Sequence, residues 1–191
     1  MAETDLFEVH SLDTAPAASK SLLKHSQELY GGMIPNLHGV MAESPALLEA
    51  YQQLNELVKK MALDMIEVNI VWLAINHQNG CTYCMAAHTA VAMHGGVSQA
   101  DINALREGNQ LADPKHQALR IFTEVMIEQR GWADDKAISE LLAACYTKQS
   151  LLDVILCIGM KTLSNYTNHV AHTPVDKAFE KFTWQNPERI L

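Results

Sequence analysis

Residues 79–96 read NGCTYCMAAHTAVAMHGG, with glycine near the start, a glycine pair at the end and no proline between them. The Asn79-Gly80 pair is typical of a turn, and the Gly95-Gly96 pair is typical of the end of a helix. The residues between the two breaks are compatible with helix throughout. The stretch therefore predicts a helix from about Cys81 to His94.

The predicted helix brings three reactive side chains together. Residues three and four apart are neighbours on one face of a helix, so Cys81 lies beside Cys84, and Cys84 lies beside His88. The first turn has unpaired N–H groups and the positive end of the helix dipole, which favour a thiolate. An imidazole one turn away can accept the thiol proton or stabilise the thiolate as a cation. The pattern supplies a nucleophile, a second thiol and a proton carrier.

Three interpretations of these residues compete. The first is a redox pair that cycles between dithiol and disulfide. The second is a zinc site, but structural zinc takes four ligands, and Cys145 and Cys157 are not spaced as a second ligand pair. The third is a pair of inert buried cysteines beside a surface histidine. A close cysteine pair in a reducing compartment favours redox chemistry, so we expect neither a metal nor another cofactor.

The rest of the chain is also predicted to be helical. Residues 65–76 are apolar nearly all round, which is typical of a helix buried in the middle of a fold. No stretch alternates apolar and polar residues in the way that strands do, and no linker or repeat divides the chain. The further predicted helices span about 22–30, start at 45, span 98–106, start at 114, and span 134–145 and 150–170. The fold class is therefore all-α, with residues 1–191 as a single compact domain.

The composition and net charge of the chain argue against two classes of binding partner. The chain has a net charge of -8, with 48% hydrophobic and 19% charged residues, which fits a packed core. An acidic chain without a basic run disfavours nucleic acid. The start, MAETDLFEVHSLD, lacks the pattern of a secretory signal, and no apolar stretch is long enough to span a bilayer. We expect a cytoplasmic protein with neither a nucleic-acid nor a membrane partner.

The sequence around the motif C-x-x-C-x-x-x-H resembles that of a known family, the alkylhydroperoxidase AhpD and carboxymuconolactone decarboxylase family. The similarity is to the peroxidase-related members that carry the cysteine pair. It includes Ile34-Pro35-Asn36, residues 44–48 (SPALL), and residues 164–169 (SNYTNH) with Thr173-Pro174 after them. It covers a core of about residues 20–185. The resemblance implies an AhpD-like helical fold and an enzyme that reduces peroxides, exchanges disulfides, or does both.

The resemblance also implies roles for the motif residues. Cys84 would attack the peroxide and become a sulfenic acid, with which Cys81 would condense to a disulfide. His88 would assist deprotonation of Cys84. A lipoyl or thioredoxin-type protein would then restore the dithiol. Oligomers are the rule in the family, so a homo-oligomer is expected.

The sequence departs from the family at one acidic position. AhpD carries a glutamate twelve residues before the first cysteine of the pair, where this chain has Asn69. Glu67 is the candidate replacement, and it is the only charge in an otherwise apolar run. Two residues turn a helix through roughly 200°, so Glu67 and Asn69 cannot both face the same histidine. Glu67 is either catalytic or paired with a lysine such as Lys60.

The alternatives to a peroxidase are a decarboxylase and a redox sensor. A decarboxylase acting on a lactone would not use a cysteine pair, and a redox sensor would use it without turnover. Asn165, Asn168 and His169 are expected to be structural hydrogen-bonding groups. Tyr83 is interpreted as a packing residue, or as a hydroxyl near the thiols. Cys145 and Cys157 are predicted to lie in the core.

Overall fold

The computed structural model describes residues 6–187, and these are helical without any strand. The predicted all-α fold class is confirmed. Two short 3-10 helices, Ala17–Ser19 and Lys177–Phe182, lie near the two ends. The α-helices are α1 (Lys20–Leu29), α2 (Asn36–Met41), α3 (Pro45–Val58), α4 (Met65–Asn79), α5 (Thr82–His94), α6 (Gln99–Glu107), α7 (Pro114–Glu128), α8 (Asp135–Ala143) and α9 (Lys148–Ala171).

Helix α4 lies at the centre of the fold. All its residues from Glu67 to His77 are buried, as its nearly continuous apolar sequence predicted. It packs against α5, α6, α7 and α9. The helix ends at Gly80, whose φ of 66° is a left-handed conformation that glycine adopts without steric cost. This sharp end turns the chain directly into α5 and makes Cys81 its N-cap residue.

Helix α9 has 24 residues and packs against α2, α3, α4 and α5. It begins with a capping box between Thr147 and Ser150, which explains why it starts before the predicted residue 150. Its buried side carries polar groups at helical spacing inside the core. They are Lys161, Ser164, Asn165 and Asn168. This row, which we call the α9 polar face, lies opposite the start of α5.

Among the α-helices of residues 6–187, one was not predicted. The predicted helices leave residues 31–44 outside any helix, but the chain continues from Pro35 into the six residues of α2. Leu37, Val40 and Met41 are all buried there, so tertiary packing stabilises a helix too short to be recognised by periodicity.

Within residues 6–187, no single helix is long and apolar enough to cross a membrane. The pair α8 and α9 reaches that length and composition together, with a bend of 115° between the two helices.

Candidate active site

The two sulfurs of the motif lie together inside the protein. Cys81 and Cys84 expose 0% and 1% of their surface. Asn168 Nδ2 lies 3.1 Å from Cys84 Sγ and 3.8 Å from Cys81 Sγ, so one amide group contacts both thiols. The Cys81 thiol also hydrogen-bonds to Cys84. Asn168 was expected to be only structural, but it is a direct neighbour of the reactive atoms.

A buried lysine, Lys161, lies close to the same pair. Its side chain is fully buried, and Nζ has no hydrogen-bond partner among residues 6–187. Its positive charge acts on both Cys81 and Cys84. A buried ammonium is costly unless an anion compensates it, and a thiolate at Cys84 is such an anion.

The hydrogen bond between the two thiols, together with the α9 polar face, makes Cys84 the acidic member of the pair. Burial raises the pKa of Cys84, but the hydrogen bond with Cys81, the charge of Lys161 and hydrogen bonds with Asn165 and Ser164 outweigh it. The pKa of Cys84 is therefore lowered from the ordinary cysteine value. The pKa of Cys81 is raised, first by its hydrogen bond to Cys84 and then by burial. The thiolate of the pair consequently forms on Cys84.

His88 lies on α5 and lines the same cavity as Cys84. Its ring meets that of Trp72 edge-on, with 4.9 Å between the centroids. Burial, and then the charge of Lys161, lower the pKa of His88 well below its ordinary value, so the imidazole is neutral. The cationic role considered from the sequence is therefore not supported, because Lys161 already supplies the positive charge. A neutral imidazole can still take up or deliver a proton.

Glu67 is occupied elsewhere. One carboxylate oxygen accepts a hydrogen bond from the backbone N–H of Asp64, and the other lies 2.7 Å from Lys115 Nζ. The lysine partner that the sequence left open is thus Lys115, and Glu67 does not line the Cys84 cavity. Asn69 is on α4, and its side chain lies against the C-terminal end of α5. Its amide nitrogen is so close to Gly95 that a Cβ at that glycine would come within 2.9 Å of it. Neither side chain is placed beside His88.

A cavity of about 300 Å³ opens beside Cys84. Its walls are mainly aliphatic and aromatic, with a few polar groups among them. Its lining residues include Tyr51, Trp72, Tyr83, Cys84, Ala87 and His88. Such a cavity suits a small, largely apolar organic molecule.

Tyr83 has a defined hydroxyl partner rather than a packing role alone. Its hydroxyl donates a hydrogen bond to Asp176 at 2.6 Å and accepts one from the Leu37 N–H at 3.2 Å. These contacts hold the segment after α9 and the start of α2 against α5. The phenol ring is thereby fixed in place as one wall of the cavity.

Besides its hydrogen bond with Cys84, Asn165 joins two helices. Asn165 accepts a hydrogen bond from Asn79 and donates one to Asn76, which ties α9 to the end of α4. Cys157 is buried as expected, whereas Cys145 is exposed, because α8 ends before it and its φ is positive. In residues 6–187 no three His, Cys, Asp or Glu side chains are grouped so that they could hold a metal ion.

The fold and site together define a class: an all-helical protein with a buried C-x-x-C pair at the start of the helix that follows the central one. Residues 45–121, which include both cysteines, match the model of the carboxymuconolactone decarboxylase family. The family resemblance inferred from the sequence is confirmed.

Solved structures share the fold. The alkylhydroperoxidase AhpD core of a peroxidase-related protein from Ralstonia eutropha JMP134 aligns with a TM-score of 0.79 at 17% identity, covering 91% of this chain and 93% of the other. A peroxidase-related protein from Silicibacter sp. TM1040 gives 0.76 at 16% identity, covering 94% and 97%. The debrominase Bmp8, in complex with 2,3,4-tribromopyrrole, gives 0.76 at 14% identity, covering 95% and 96%. A comparison with curated proteins gives no match.

Proposed function

We propose that this protein is a thiol-dependent peroxidase that reduces organic hydroperoxides through Cys84 and Cys81. The observation that carries the proposal is the position of Cys84. Its sulfur is made acidic by the hydrogen bond with the Cys81 thiol and by the α9 polar face, and it borders a cavity suited to an apolar molecule. A thiolate is the reactive form of cysteine, so this arrangement prepares one sulfur for attack.

In the oxidative half of the reaction, the Cys84 thiolate attacks the outer oxygen of the hydroperoxide. The O–O bond breaks, Cys84 becomes a sulfenic acid, and the alkoxide leaves as an alcohol after taking up a proton. His88 lines the cavity and is the group we assign to carrying this proton, because its neutral imidazole can take up the proton of the Cys84 thiol and give it to the alkoxide. The Cys81 thiol then attacks the sulfenic sulfur, which releases water and forms the disulfide.

In the reductive half, two electrons from an external thiol restore the dithiol. A lipoyl or thioredoxin-type protein is our proposed donor, and the same pair would support disulfide exchange with it. The dithiol requires a reducing compartment, so we propose a cytoplasmic enzyme. We also propose a homo-oligomer, which light scattering would show as a mass above the 21.2 kDa of one chain. Glu67 has no part in this mechanism, since both its oxygens have structural partners.

Reductive dehalogenation is a second candidate. The aromatic walls around Cys84, and the likeness in fold to the debrominase Bmp8, favour a test with a brominated pyrrole. The carboxymuconolactone-type decarboxylase is less well supported, because that reaction leaves the two contacting thiols without a role. A redox sensor would be oxidised once by peroxide and would not turn over.

The test is a coupled assay of hydroperoxide consumption with a regenerating dithiol. We expect turnover in the wild type and none in Cys84→Ser, because a serine hydroxyl at that position is barely ionised. Cys145→Ser is the matched control, since it removes an exposed thiol away from the site. Activity that persists in Cys84→Ser would overturn the proposal. Bromide release without peroxide consumption would favour the second candidate.

A further inference from the structure

The two cysteines border different cavities. Cys84 borders the apolar cavity described above, whereas Cys81 borders a second recess of about 340 Å³. Tyr83 lines both spaces, and its hydroxyl is held by two hydrogen bonds, so it forms a fixed partition between them. We call the second space the Cys81 recess. Its lining residues are Cys81, Thr82, Tyr83, Asn168, His169, His172 and Thr173.

The Cys81 recess is polar and contains unused hydrogen-bonding atoms. Asn168 and Thr173 expose only 5% and 7% of their surface. Asn168 Oδ1 and Thr173 Oγ1 nevertheless have no hydrogen-bond partner among residues 6–187. Buried polar atoms are rarely left unpaired in proteins, so two of them on residues that line the same recess as Cys81 indicate a place for a polar ligand. Both atoms can accept a hydrogen bond from an amide N–H.

We propose that the Cys81 recess is the entrance for the reducing thiol, and that this thiol is a cysteine carried on a peptide. The backbone N–H groups beside such a cysteine would pair with Asn168 Oδ1 and Thr173 Oγ1. Hydroperoxide enters from the apolar side to Cys84, and the reductant enters from the polar side to Cys81. This division rests on the proposed function, because it assigns a second substrate to the same cysteine pair.

The chemistry of disulfide exchange agrees with this division. The peptide thiolate attacks Cys81 Sγ, a new S–S bond forms, and the bond between Cys81 and Cys84 breaks with Cys84 leaving as the thiolate. Exchange is faster when the leaving thiol is the more acidic one, and Cys84 has the lowered pKa. A second peptide thiol attacks the sulfur of the bound peptide. It releases the peptide disulfide and returns Cys81 to the thiol, so two electrons and two protons reach the pair.

The test separates the reductive half from the peroxide reaction. Protein oxidised to the Cys81–Cys84 disulfide with diamide is mixed with glutathione or with 2-mercaptoethanol, which has no amide. The return of thiols is followed by alkylation and mass spectrometry. We expect Thr173→Val to slow reduction by glutathione about threefold to tenfold, as loss of one hydrogen bond implies, and to leave reduction by 2-mercaptoethanol unchanged. Thr162→Val is the control, since its hydroxyl bonds within α9.

Equal rates for Thr173→Val and wild type, or an equal slowing with both thiols, would overturn the proposal. A second measurement does not depend on any variant. Quenching the wild-type reaction early should trap glutathione on Cys81, whereas glutathione on Cys84 would place the entrance on the apolar side. Because diamide forms the disulfide, these results stand even if no hydroperoxide is consumed. Failure of the proposed function is recognised separately, by the absence of hydroperoxide turnover.

Discussion

Helices α5 and α9 contribute to the same site in different ways. The start of α5 supplies both sulfurs from a local motif of four residues, Cys81 to Cys84. Helix α9 supplies no sulfur to the pair, but it brings Lys161 and the amide of Asn168 to it from about eighty residues further along the chain. The comparison shows that a nucleophile can be recognised locally, whereas the environment that makes it acidic is assembled by packing.

The largest expected effect separates the two sulfurs of α5. In Cys81→Ser the sulfenic acid formed on Cys84 has no resolving thiol, so the enzyme should react once and then stop. A dimedone-type probe with peptide mapping should locate the label on Cys84. Label on Cys81 in the Cys84→Ser variant, with none on Cys84 in Cys81→Ser, would reverse the assigned roles.

The next effect tests the contribution of α9. Lys161→Met removes the buried positive charge and should raise the pKa of Cys84. The thiolate is then lost at a higher pH than in the wild type. Once the pKa of Cys84 exceeds 7, we expect hydroperoxide turnover at pH 7 to fall about tenfold for each further unit, and to recover in alkaline solution.

We expect Lys161→Met to lose hydroperoxide turnover at neutral pH without losing thermal stability. Lys161→Met removes a charge from the core, and the Cys84 thiol can then take up a proton, so no buried charge is left without a counter-charge and the change should be neutral or stabilising. Thermal unfolding of Lys161→Met should therefore occur at or above the wild-type temperature. Lys148→Met, at the exposed start of α9, is the control. A large loss of thermal stability in Lys161→Met with an unchanged pH profile would contradict the assigned role.

The smallest effect lies outside the site. Glu67→Gln removes the charge that pairs with Lys115 and supports the start of α4. Because Lys115 is 46% exposed, water weakens that ion pair, and we expect a loss of roughly 1 kcal/mol in the free energy of unfolding. Hydroperoxide turnover per folded molecule should remain at the wild-type level. A pronounced loss of turnover without a change in stability would restore the catalytic role considered from the sequence.

The same contrast explains what the sequence could predict. The bounds of α4 and α5 follow from local signals such as Gly80 and the apolar run before it, and so does the closeness of Cys81 to Cys84. Lys161 carried no such signal, because an isolated lysine in a helix is usually on the surface. Its spacing to Ser164, Asn165 and Asn168 does form a polar row, but only the packing of α9 shows that this row faces inward.

The spacing of Glu67 and Asn69 did not identify which residue of α4 lies beside His88. The step between Glu67 and Asn69 implied that the two could not both face His88, but the residue of α4 whose ring contacts His88 is Trp72. Helix α2 was missed for a related reason, since its six residues are held by burial rather than by periodicity. In both cases the deciding contacts join residues far apart in the sequence.

The most direct test of the central claim is a titration of thiolate absorbance in the reduced protein. We predict that one thiolate forms below the free-cysteine value of about 8.5, and that this early step is absent from Cys84→Ser. The same step should move to higher pH in Lys161→Met and stay in place in Lys148→Met. A wild-type protein with no thiolate below the free-cysteine value, or an early step that survives in Cys84→Ser, would contradict the account.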